Sequence, residues 1–211
     1  MLKYLLPFCE IMLLIFCDEL FLFPSVFMFL VLICRFNICE DEIFTKYYII
    51  DKTKFSFKPI YVIHVLMLSP IIFLVIGFLA DKSSVLFDNS ILNYTIYIES
   101  NEVFFQKQLI DYIVLFTVTC IIAPVVEEFT FRVLIYRSWL SSFTNKKIIA
   151  LLISSAIFAF SHFNIATFVY TFLVGIILCF IYDVYGYLSS VTLHILLNAY
   201  AFVGVLGIVI N

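Results

Sequence analysis

From Ile60 to Ala80 the chain runs for 21 residues without one Lys, Arg, Asp or Glu. As an α-helix at about 1.5 Å per residue, this run spans roughly 31 Å, the thickness of a bilayer's hydrocarbon core. Further apolar runs follow at Ile148 to His162, Ile165 to Tyr182 and Leu188 to Ile210. A helix-compatible stretch from Leu109 to Leu140 carries Pro124 and the charged trio Glu127, Glu128 and Arg132. An N-terminal run from Tyr4 to Cys34 is broken by Pro7, Asp18-Glu19 and Pro24, and reads as one tilted span or a span preceded by an interfacial helix. Hydrophobic residues make up 64% of the 211, far above the roughly 45–50% of soluble chains, and only 13% are charged, so the bilayer is the expected solvent. These features predict an all-α fold, a polytopic transmembrane helix bundle of about six to seven spans around an intramembrane polar cavity. The expected organisation is one integrated membrane domain, with N-terminal helices and polar loops over 1–108 and a catalytic core over 109–211.

The distribution of basic residues orients the bundle. Arg35, Lys46, Lys52, Lys54 and Lys58 fall in one loop, and Lys146 and Lys147 follow Trp139, so both turns are expected on the cytoplasmic side. The Asp81 to Gln108 stretch, which contains Asn93-Tyr94-Thr95, carries more acid than base and belongs opposite. The expected location is a multi-pass integral membrane protein, in the cell membrane if the source is bacterial. The net charge of −3 without a basic block excludes nucleic acid as a partner and leaves membrane lipid as the first one. Acidic residues at 10, 18 and 19 and the lack of an A-x-A site argue against a removable signal peptide. The cysteines, Cys9, Cys17, Cys34, Cys39, Cys120 and Cys179, show no metal or redox spacing and read as small core hydrophobes.

Ionisable groups at membrane depth face a bundle interior or a watery cavity. Counted from the Leu140 to Lys147 turn at about 1.5 Å per residue, Glu128 lies roughly 18 Å in and His162 roughly 22 Å in. On the last run, counted from Tyr187, His194 lies roughly 10 Å and Asn198 roughly 16 Å in, so all could line one cavity. Glu128 and Arg132 form a favourable i,i+4 pair, in which the acid neutralises the guanidinium. Glu127, about 100° around the helix, is then free, and a carboxylate beside a histidine in an apolar cavity is a usable general base for water. His194 and Asn198, again i,i+4, share a face and offer donors to a developing oxyanion. Pro124 lacks an N–H, which in α-helical register frees the carbonyl of Cys120, opens the helix there and admits water.

Three motifs follow in order: Glu127-Glu128-Phe129-Thr130-Phe131-Arg132 as E-E-x-x-x-R, Phe158-Ala159-Phe160-Ser161-His162 as F-x-x-x-H, and His194-Ile195-Leu196-Leu197-Asn198 as H-x-x-x-N. Together they resemble the CPBP intramembrane proteases, the group of the CAAX prenyl endopeptidases and the bacterial Abi proteins, over roughly Asp111 to Asn211. The resemblance implies an all-helical membrane endopeptidase in which Glu127 and His162 activate water, and His194 and Asn198 stabilise the oxyanion. Glu128 and Arg132 support them. It implies a protein or peptide substrate, lipidated or membrane-associated, entering from the membrane or its cytoplasmic face. It leaves open a glutamic enzyme without a cofactor, the expectation here, or a zinc enzyme with His162 and His194 as ligands; no H-E-x-x-H is present. Val133 stands where the family often has a glycine.

Bland readings accompany these. Glu128 with Arg132 is a packing ion pair, His64 an interfacial histidine, and Asp183 a solvated end charge. Tyr47, Tyr48, Tyr61, Tyr185 and Tyr187 suit an aromatic belt. A proton-coupled transporter is the second function class, although no repeat is visible, and a catalytically silent interaction or immunity protein is the third.

Overall fold

The computed structural model describes residues 52–84, 109–141, 144, 146–162 and 167–210. The Tyr4 to Cys34 run and most of the acidic Asp81 to Gln108 stretch lie outside them, as do Tyr47, Tyr48 and four of the six cysteines. Among the described residues every regular element is helical. A short 3₁₀ turn, Lys52–Phe55, precedes helix α1, Pro59–Ser84. The next helix, α2, is continuous over 109–140 but changes pitch: α-helical over Leu109–Phe116, π over Thr117–Ile122, α-helical over Ala123–Glu128 and π over Phe129–Leu140. Helix α3 is Lys147–Ser161, α4 is Phe168–Tyr185 and α5 is Tyr187–Ile210.

Four of the five helices contain stretches long and apolar enough to cross a bilayer, Pro59–Ala80, Tyr112–Ser138, Phe168–Tyr185 and Tyr187–Gly204. The chain is a multi-pass membrane protein. Helix α3, with 15 residues, rises only roughly 22 Å and is the short member of the set. Large apolar side chains such as Met67, Leu74 and Phe78 on α1 stay exposed, as a lipid-facing surface requires.

Packing centres on α2. Phe129, Val133, Leu134, Ile135 and Tyr136 are buried against α3, α4 and α5. The Phe131 and Phe158 rings meet edge to face at 5.1 Å, and the Ser154 hydroxyl donates to the Phe131 carbonyl at 3.0 Å. Gly175 brings α4 close to α3: a Cβ there would stand 3.0 Å from Ser155 Cβ and 3.3 Å from a Phe158 ring carbon. Between α4 and α5 the chain turns at Gly186, where φ is +89° and a Cβ would fall 2.6 Å from the Lys54 carbonyl oxygen. Only glycine takes that conformation without strain.

At this end of the bundle the two basic turns converge on Asp183. Lys147 Nζ lies 3.0 Å from its carboxylate, and Lys54 Nζ donates to its main-chain carbonyl at 2.5 Å. The convergence puts the two turns on one side of the bundle, in agreement with the charge distribution. It also corrects the reading of Asp183 as a solvated charge: its carboxylate is 11% exposed and accepts the Tyr136 hydroxyl at 2.5 Å. Tyr187, read as a belt residue, is buried instead and donates to the Val125 carbonyl at 2.8 Å. Tyr61 and Tyr185 remain at the periphery with ring centroids 5.1 Å apart, and His64 is exposed with its ring 6.1 Å from Tyr185. Cys120 and Cys179 are buried free thiols, as core hydrophobes should be.

Candidate active site

Glu128 is completely buried where α2 crosses α5, and three donors converge on its carboxylate. Arg132 Nε, one turn further along α2, donates to Oε2 at 3.1 Å. The Ser190 hydroxyl on α5 makes a short hydrogen bond to the same oxygen. His194 Nδ1 donates to Oε1 at 3.0 Å. A buried carboxylate is tolerable only when its lone pairs are met in this way.

The rest of Arg132 is unusual. Its side chain is fully buried, and among the described residues no acceptor reaches Nη1 or Nη2. The guanidinium lies instead over the face of Phe158, 4.8 Å from the ring centroid, where the ring's negative face meets the cation. The same ring has its face or edge against both histidines, at 4.8 Å from His162 and 5.7 Å from His194. The first residue of F-x-x-x-H thus packs against the Arg132 guanidinium and both imidazoles.

Glu127 takes the other side of His194. Its Oε2 lies 3.5 Å from Nε2, beyond a good hydrogen bond, and its side chain is 15% exposed. His194 therefore stands between the two adjacent carboxylates, one at each ring nitrogen. The α-helical depth count separates Glu128 from His194 by roughly 8 Å, yet they touch. The π segment Phe129–Leu140 narrows that gap, since a wider turn advances less along the axis per residue, and the reach of the two side chains covers the rest.

His162 ends α3, and its Nδ1 lies 2.8 Å from the Phe158 carbonyl. An N–H at Nδ1 donates to that carbonyl and leaves Nε2 as the outward nitrogen. Among the described residues no hydrogen bond or ion pair joins His162 to Glu127, His194 or Asn198; the Phe158 ring, against both imidazoles, links it to His194. Asn198 sits one turn beyond His194, and its Nδ2 donates to the Thr119 carbonyl at 2.9 Å. This corrects the expectation that Pro124 frees Cys120. In the π turn, N–H groups bond five residues back, as Ala123 does to Val118, so the acceptor that Pro124 leaves without a partner is Thr119.

Ser190 went unnoticed in the sequence. The available signal was its spacing, for Ser190, His194 and Asn198 recur every four residues and so form one stripe on α5. Phe158 was noticed only as a motif letter.

A zinc site requires three protein ligands and an open position. Among the described residues no three His, Cys, Asp or Glu side chains are gathered for a metal ion. Nδ1 of each histidine is engaged, by Glu128 and by the Phe158 carbonyl, which leaves Nε2 as the nitrogen of each that could ligate a metal. Among the described residues the donor set falls short of a three-ligand zinc centre, and no step below passes through a metal.

A multi-pass helical membrane protein with an acid–histidine pair buried between two spans is the class that this fold and site define. Residues 109–200 match the family described as Type II CAAX prenyl endopeptidase Rce1-like, and this stretch is a domain of that CAAX prenyl endopeptidase (CPBP) family. No curated protein and no solved structure matches the chain.

Proposed function

We propose that this protein is an intramembrane endopeptidase that hydrolyses a peptide bond in a membrane-associated or lipidated protein or peptide, within a bundle of about six to seven spans enclosing a polar cavity. The observation that supports it best is His194 held between Glu128 at 3.0 Å and Glu127 at 3.5 Å, inside a family domain of prenyl-protein endopeptidases. In this reading Glu127, the partly exposed carboxylate, accepts a proton from water as the water oxygen attacks the scissile carbonyl carbon. The outward Nε2 of His162 orients that water. In this reading His194, between the two carboxylates, carries a proton on each ring nitrogen, and its Nε2–H with the second amide hydrogen of Asn198 stabilises the tetrahedral oxyanion. Glu127 then passes its proton to the departing amine as the C–N bond breaks. Glu128 is the positioning carboxylate: it fixes the His194 ring and neutralises Arg132, and the enzyme needs no resident cofactor. Substrate enters from the membrane or its cytoplasmic face.

The test is cleavage in proteoliposomes of a farnesylated peptide ending in a C-a-a-X sequence, with its unprenylated counterpart beside it, read by mass spectrometry. Release of the terminal tripeptide by wild type and none by Glu127→Gln supports the reading. Equal cleavage of both peptides would make lipid recognition unnecessary, and equal cleavage by Glu127→Gln would remove it as the base.

A further inference from the structure

The chain carries two prolines inside described membrane helices, and each leaves one carbonyl without its helical N–H. At Pro70 in α1 the carbonyl is that of Leu66, and the neighbouring Ser69 hydroxyl donates to it at 3.0 Å while pairing with the Tyr200 hydroxyl of α5 at 2.9 Å. At Pro124 the π register moves the orphan to Thr119, and among the described residues no side chain of α2 reaches it: the Thr119 hydroxyl turns back to the Leu115 carbonyl at 2.8 Å. The donor comes from α5, and it is Asn198 at 2.9 Å.

A carbonyl oxygen only accepts, so it selects the NH₂ side of the Asn198 amide and turns the amide oxygen away. One amide hydrogen is held, and the direction of the other follows from the planarity of the group. We propose that Pro124 and the π turn Thr117–Ile122 are the device that positions Asn198, an anchor made by withholding a main-chain donor from Thr119. The proposal rests on the oxyanion role assigned above only for its effect on rate. The anchor itself is a matter of hydrogen-bond supply. In the bilayer an unmet carbonyl is costly, so Thr119 needs a donor, and Asn198 supplies it. The arrangement also explains why the helix departs from α-helical pitch one turn before the glutamates: in α register the orphan would be Cys120, one residue and about 100° away from the one that Asn198 meets.

Pro124→Ala supplies the missing N–H, which competes with Asn198 for the carbonyl. Two measurements separate the anchor from the catalytic reading. The first is a thermal-unfolding cycle on the full-length protein in detergent with Pro124→Ala, Asn198→Ala and the double variant. Asn198→Ala is expected to lower Tm in the wild-type background and to lower it by less than half as much beside Pro124→Ala, where the amide at 124 satisfies Thr119. The cycle cancels the general helix preference of alanine over proline. Additive effects would overturn the anchor. The second is kcat and KM on the farnesylated C-a-a-X peptide. Pro124→Ala is expected to lower kcat roughly 10-fold with KM unchanged, and Asn198→Ala to lower it roughly 10²–10³-fold, the range for one oxyanion donor. Coupled Tm values with an unchanged kcat would keep the anchor and remove the oxyanion role from Asn198. A loss confined to KM would assign the anchored amide to substrate binding and overturn its positioning for the chemical step.

Discussion

Replacing Glu128 with Gln removes one charge and leaves the volume nearly intact, so its effect isolates what the carboxylate does. In the native protein that carboxylate receives Arg132 Nε at 3.1 Å, His194 Nδ1 at 3.0 Å and the Ser190 hydroxyl, with Glu128 and Arg132 both at 0% exposure. Glutamine offers a single acceptor oxygen, and its NH₂ group must face one of three donors. Arg132 keeps its charge with no other acceptor among the described residues, and only the Phe158 face remains beside it. Removing one partner of a buried pair costs about 3–5 kcal/mol. For a chain of this length each kcal/mol shifts Tm by about 2–4 °C, so a fall of roughly 6–20 °C is expected. The assay is circular dichroism at the helical band during heating of purified protein. Arg132→Met in the Glu128→Gln background removes the stranded cation and fills its space, and should recover most of the loss. A Tm for Glu128→Gln within about 2 °C of wild type would refute the reasoning. If that stable variant were also inactive, Glu128 would be the catalytic carboxylate.

Glu127→Gln is expected to keep the wild-type Tm and to lose roughly 10²–10⁴-fold or more in kcat, since its carboxylate is partly exposed and the loss is that of a general base; peptide cleavage followed by mass spectrometry checks it. Ser190→Ala withdraws one charge-assisted hydrogen bond from Glu128 and should destabilise the fold by about 1.5–3 kcal/mol, read from the same melting curves. Gly186→Ala places a Cβ 2.6 Å from the Lys54 carbonyl at φ +89°, so it should lower Tm and expose the turn to added protease; an unchanged digestion rate would count against that close approach. Elemental analysis of purified protein should find well under one Zn²⁺ per chain, with activity retained in chelator, and stoichiometric zinc held by His162 and His194 would replace the general-base reading by a metal-activated water.

The helices were legible because lipid leaves few options. The run read as Ile60 to Ala80 is α1, and those read as Ile148 to His162, Ile165 to Tyr182 and Leu188 to Ile210 match α3, α4 and α5 to within about three residues. The pairing of Glu128 with Arg132 followed from i,i+4 spacing alone. Register did not. Nothing in Thr117–Ile122 announces a π turn, and a one-residue change in bonding moved the orphan carbonyl from Cys120 to Thr119. Partners distant in sequence were equally hidden: Asp183 looked solvated because Tyr136 lies 47 residues before it and Lys54 129 before. Tyr187 looked like a belt residue because its acceptor, the Val125 carbonyl, is 62 residues away. Sequence patterns report the solvent around a helix and the neighbours on its own face, while these contacts depend on which helix lies opposite.

The hydrogen bonds on α5 bear on which carboxylate reacts. Ser190, His194, Asn198 and Tyr200 each pair across to α2 or α1, with Glu128, Glu128, Thr119 and Ser69 respectively. In a bilayer these polar groups need such partners for the helix to remain in place at all, so the bonds that orient the site are also bonds that hold the fold. A carboxylate saturated by three donors has little capacity left to take a proton from water. Glu127 differs: among the described residues its near polar neighbour is His194 Nε2 at 3.5 Å, and part of its surface is open. The group least used by the fold is thus the one to which the proposed general-base role falls. Variants at Glu128, Ser190 and Arg132 should therefore lose stability and rate together, whereas variants at Glu127 should lose rate alone, and that separation assigns the base.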